Sequence, residues 1–82
     1  MVDDKSVRWR CRRGMKELDV LLERFLERGY ASLDKQERGV FARLLDQKDP
    51  DLLIWLTGRE QPPNPVFAAL ISRMQSFISP AP

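Results

Sequence analysis

The chain has 82 residues, 43% hydrophobic and 32% charged, with a net charge of only +2. That length sets a single domain with a small core, worth on the order of 3–5 kcal/mol of net stability, and the composition excludes a disordered chain. Histidine is absent and Cys11 is the single cysteine, which excludes a disulfide framework, the commonest general base and the commonest metal ligand.

Between the glycines and prolines the apolar residues recur at helical spacing, and no stretch alternates for long enough to form a strand. Residues 4–12 read as a first helix with Val7 and Cys11 paired at i,i+4. That pairing makes Cys11 a small apolar side chain on the packed face, and without a histidine partner it is no candidate nucleophile. Trp9 and Arg13 fall on another side of the same helix. Gly14 interrupts the pattern as a bend or joint.

Residues 15–28 form the clearest helix, with Met15, Leu18, Leu21, Leu22, Phe25 and Leu26 on a core-facing stripe. Its acids come early and Arg28 comes late, as the helix dipole favours, and Gly29 suits the C′ position. Asp34 and Glu37 have capping-box spacing and start a third helix over 35–46, lined by Val40, Phe41, Leu44 and Leu45. Gly39 within it points to close packing, because glycine costs about 1 kcal/mol there relative to alanine. The fourth helix, about 50–57, has Asp49 as its N-cap, Pro50 at N1, Asp51 at its positive end and Gly58 at its close. Asn64 and Pro65 repeat that start for a fifth helix over 65–78, and the tail 79–82 is read as frayed. The pattern predicts an all-α protein, a compact five-helix bundle in one domain.

The charge is unevenly placed. Residues 1–14 carry Lys5, Arg8, Arg10, Arg12 and Arg13 against Asp3 and Asp4, a local +3 that leaves the remainder at −1. Three readings stay open: a solvated helix end, a phosphate-binding segment, or a protein-docking face. The last is favoured by composition, since arginine and tryptophan are enriched in interface hot spots; Arg8, Trp9 and Arg10 belong to it, although Trp9 also reads as a core residue of the first helix. In Arg13-Gly14-x-x-Glu17, glycine lets another backbone approach and arginine offers paired donors. A plain helix joint, with Glu17 at a positive helix end or paired to Arg13, explains the same residues. The three aspartates of "DQKDPD" do not match a calcium loop. No apolar run approaches the roughly 20 residues that span a bilayer, and no secretory signal is visible, so a cytoplasmic protein is expected.

"CRRGMKELD", followed by "FARLLDQKDPDLLIWLTGREQPP", resembles the succinate dehydrogenase assembly factor family, the flavinators. The family's RGxxE motif is present as Arg13, Gly14 and Glu17. A second block is present as Asp49, Pro50, Asp51, Leu52 and Trp55, with Tyr30-x-x-Leu33 between the two. The resemblance covers roughly residues 5–63; residues 64–82 carry little of the pattern. It implies a small five-helix protein that binds the flavoprotein subunit of succinate dehydrogenase, or of fumarate reductase, and promotes covalent attachment of FAD to a histidine of that subunit. It implies a chaperone-like factor with no catalytic centre, metal or cofactor of its own, FAD being attached to the partner. A monomer that neither binds nucleic acid nor inserts into a membrane is expected. Arg13, Gly14 and Glu17 would face the partner, and Asp49, Pro50 and Asp51 are candidate partner-binding residues as well. The alternative is a small nucleic-acid-associated or antitoxin-type regulator using the basic segment.

Overall fold

The computed structural model describes residues 4–78. Five helices follow one another: α1 (Asp4–Arg10), α2 (Lys16–Arg28), α3 (Lys35–Leu44), α4 (Asp49–Leu56) and α5 (Pro65–Ile78), with a 3-10 turn over Tyr30–Ser32. No strand occurs among the described residues. The all-α, five-helix expectation holds; the tail at 79–82 lies outside the described residues.

The core forms where the apolar stripes meet. Leu18, Leu22 and Phe25 of α2 are fully buried, and Met15, Leu21 and Leu26 flank them half-buried. α5 packs against α2, α3 and α4, bringing in Leu70, Ile71, Met74 and Ile78. Phe25 is the centre of an aromatic group, its ring 5.3 Å from Phe41, 6.1 Å from Phe77 and 6.4 Å edge-on from Tyr30. Such offset and edge-on pairs add to the stabilisation from burial. Val7 and Cys11 attach the α1 segment to this core.

The caps follow the sequence closely at two starts. Asp34 Oδ1 accepts from the Glu37 N–H at 2.8 Å, and Glu37 Oε1 accepts from the Asp34 N–H at 3.0 Å, a complete capping box. Asn64 Oδ1 accepts from the Val66 N–H at 2.8 Å, with Pro65 opening α5. α4 closes in a Schellman turn. The Gly58 N–H donates to Trp55 O and the Arg59 N–H to Ile54 O, each at 3.1 Å, with Gly58 at φ +79°.

Five local expectations are corrected. α1 stops at Arg10, short of residue 12, because the Arg12 N–H bonds three residues back to Trp9 O and the Arg13 N–H then leaves the ladder for the Asp19 carboxylate. α3 stops at Leu44, since Asp46 and Gln47 bond three residues back, a tightened last turn. Asp49 is not the N-cap of α4. Lys48 takes that place, with no side chain able to accept from the helix N–H groups, while the Asp49 carboxylate is held by Arg13.

The glycines supply the other two corrections. Gly29 has φ −130°, so left-handed backbone does not explain it; a Cβ there would stand 2.5 Å from the Phe77 ring and 2.8 Å from Phe25. Gly39, expected at a tight contact, has nothing within 4 Å of where its Cβ would lie. Gly39→Ala should therefore stabilise the protein by about 0.5–1 kcal/mol. Gly29→Ala should cost about 1–3 kcal/mol by overpacking. Thermal melts of the two variants, moving in opposite directions from the parent, check both.

Candidate functional site

The candidate site is built at the joint between α1 and α2. α1 delivers Arg8, Trp9 and Arg10; the turn delivers Cys11 to Gly14; the first turn of α2 delivers Glu17 and Asp19. Gly14 has φ +86° and open space around its missing Cβ. At that φ a side chain costs backbone strain, so conformation, not crowding, calls for glycine here.

Arg13 lies inside the joint. Its side chain is only 16% exposed, and its Nε donates to Asp49 Oδ1 at 2.6 Å. Nη1 donates to Arg10 O and Nη2 to Gln47 O, both at 3.0 Å. Its backbone N–H donates to Asp19 Oδ1 at 2.7 Å. One residue thereby ties the turn to both α4 and α2. Arg10 makes a parallel tie: its Nη2 donates to Ala42 O at 3.0 Å and pairs with the Asp46 carboxylate.

The candidate residues separate into two sets. Arg10, Arg13 and Asp49 are half-buried and joined to protein groups, and the structure brings Arg13 and Asp49 together across 36 positions of sequence. Arg8, Trp9, Gly14, Glu17, Pro50 and Asp51 are exposed. Trp9 is 74% exposed, which decides against its reading as a core residue; the buried tryptophan is Trp55 of α4. Arg13 pairs with Asp49, and not with Glu17. The residue that sequence reasoning missed is Asp19, placed there only among the polar face of its helix. Its one available signal was an acid on the first turn of a helix that follows a glycine joint.

Beside Gly14 opens a cleft of about 530 Å³, lined by Arg8, Cys11, Arg12, Gly14, Asp19, Glu23 and Leu26. It combines two exposed arginines with two acids over an apolar wall, so it is not a uniformly basic trough. With Arg10 and Arg13 neutralised by Asp46 and Asp49, the N-terminal arginines do not form the continuous cationic stripe that phosphate tracking requires.

Cys11 is buried against Val7, as its spacing predicted, although it sits in the turn after α1 and not within the helix. Burial pushes its thiol up from the ordinary 9.0 to about 11, outweighing the lowering by Arg13, Arg10 and Arg8. A thiol held protonated is a poor nucleophile. Among the described residues no group of three or more histidine, cysteine or carboxylate side chains is placed to hold a metal ion. No helix there is long and apolar enough to cross a membrane.

The fold and this surface define a small all-α protein that offers a glycine turn, flanked by an exposed tryptophan, arginines and a glutamate, above a clamped helix joint. Residues 5–78 match the family described as the flavinator of succinate dehydrogenase. A protein of Coxiella burnetii named FAD assembly factor SdhE is 49% identical over 75 residues, 92% of each chain. Its namesake in Shewanella oneidensis is 40% identical over 74 residues, 90% of each chain. That of Xylella fastidiosa is 51% identical over 72 residues, 88% of this chain and 74% of its own. The chain belongs to the succinate dehydrogenase flavinator family. The match reaches residue 78, so it takes in α5, where the sequence motifs were weak.

Two outcomes follow from the geometry. Arg13→Ala should cost about 1.5–3 kcal/mol in urea unfolding, the range for hydrogen bonds to charged groups. Arg8→Ala and Arg12→Ala should stay within about 0.5 kcal/mol of the parent, as exposed positions do. For Cys11, the folded thiol keeps its proton after the unfolded one has lost it. Its stabilising contribution is complete below pH 9.0 and is lost as pH rises from 9.0 to about 11. Stability measured across that window should fall more steeply in the parent than in Cys11→Ala, and the native thiol should resist alkylating reagents at pH 8 until denaturant is added.

Proposed function

We propose that this protein is an assembly factor that docks on the flavoprotein subunit of succinate dehydrogenase, and on the related subunit of fumarate reductase, and promotes covalent attachment of FAD to that subunit. The observation that carries docking is Gly14: a left-handed residue on open surface, with Trp9, Arg8, Arg12 and Glu17 exposed on the flanking segments. The nature of the partner comes from the family's description, flavinator of succinate dehydrogenase, and from the relatives' name, FAD assembly factor.

The factor has no histidine, so the residue that receives the flavin is the partner's, and FAD is the partner's cofactor. In this reading the chain performs no bond-making step. Trp9 supplies a rigid apolar anchor, and Glu17 a carboxylate for partner donors. Gly14 lets the partner backbone come close where any Cβ would hold it off. Binding stabilises the arrangement of the flavoprotein in which flavin and histidine meet, a shift in population.

Flavin fluorescence of the denatured flavoprotein subunit reports covalent FAD in cells lacking the parent factor and supplied with variants. Glu17→Ala and Trp9→Ala should each lower covalent flavin several-fold while their thermal melts stay close to the parent, since both side chains are exposed. Gly14→Arg should lower it further. Full flavinylation with all three variants would refute the assignment.

A further inference from the structure

We infer that Arg13 and Asp49, although they belong to the family's two sequence blocks, do not contact the partner: they are positioning residues that hold the Gly14 turn in its docking shape, acting as one unit. The inference rests on the docking reading above and assigns roles within it.

Four observations lead here. Arg13 uses Nε, Nη1 and Nη2 on three different acceptors of its own chain, Asp49 Oδ1, Arg10 O and Gln47 O. Its side chain is the less exposed member of the pair, 16% against 30% for Asp49. Its backbone N–H is taken by Asp19, so the peptide that leads to Gly14 is held from the α2 side while the side chain is held from the α4 side. Gly14 itself has no side chain and no neighbour within 4 Å of its Cβ direction. The bonds of Arg13, its neighbour in the chain, hold the peptide that leads into it.

A flexible glycine turn would have to be ordered on binding, and that entropy would count against affinity. The clamp settles it in advance. It also accounts for why Asp49 sits at N1 of α4 without capping it: its carboxylate serves the turn 36 positions earlier. The acidic block after α3 thus bears on docking through Arg13, without reaching the partner.

A double-mutant cycle on binding tests this. The cognate succinate dehydrogenase flavoprotein subunit is titrated with the full-length factor carrying Arg13→Ala, Asp49→Ala or both, at a temperature where circular dichroism shows each variant folded. Each single change should raise Kd about tenfold, and the double should equal either single within about twofold, as for two residues of one unit. Asp49→Glu, which keeps the carboxylate, should recover part of the loss. Arg73→Ala controls for general destabilisation. It removes another, more exposed arginine tie, from Arg73 to Glu37 at 2.7 Å and Ser32 O at 3.1 Å, between α5 and the start of α3, and should leave Kd unchanged. Parent-like binding by Asp49→Ala beside a loss in Arg13→Ala would show Arg13 donating to the partner and overturn the inference. Additive losses, or an equal loss in Arg73→Ala, would overturn it too. Glu17→Ala and Trp9→Ala run in parallel: if both bind like the parent, the docking reading itself falls, whereas their loss with an additive cycle removes only the positioning role.

Discussion

The guanidinium of Arg13 is where three parts of the chain meet. It holds the carboxylate of Asp49, the carbonyl of Gln47 and the carbonyl of Arg10, so the end of α1 and the start of α4 converge on one planar group. A lysine could not replace it, because a single ammonium lacks the planar fork that reaches three acceptors in different directions. α1 is only seven residues long and could not persist alone. It is kept by Val7 and Cys11 in the core and by two arginine ties, Arg10 to the end of α3 and Arg13 to the start of α4.

That arrangement divides the arginines of the basic segment. Alternate arginines do different work: Arg10 and Arg13 turn inward to carbonyls and carboxylates, while Arg8 and Arg12 remain in solvent beside the Gly14 cleft. The inward pair is partly shielded from water, where charge-assisted hydrogen bonds are worth more than exposed ion pairs. The outward pair lies among Asp19 and Glu23, in a field of mixed sign and not a uniformly basic one.

Much of this was legible in the sequence, for reasons that differ by element. The stripes of α2 and α5, the Asp34–Glu37 box and the Asn64–Pro65 start are local, and local chemistry decides them. Asp49 was misread because its spacing before Pro50 fits an N-cap, while its actual partner lies 36 positions away. No local rule carries that information. The same limit explains Gly29. Its place after α2 suggested a left-handed cap, but the Phe77 ring from the far end of the chain is what forbids a Cβ there. Trp9 was undecidable for a simpler reason: on a helix this short, one apolar position either way decides exposure, and Val7 with Cys11 already filled the inward face.

The two blocks that identify the family are therefore not two separate surfaces. Arg13 joins them, so a place in the second block does not by itself imply contact with a partner. Within the first block the three motif positions have distinct physical duties: Arg13 holds, Gly14 permits a backbone shape, and Glu17 presents charge at the start of α2. A motif read as one recognition element thus divides at the glycine. On its N-terminal side Arg13 organises the joint, and on its C-terminal side Glu17 faces solvent.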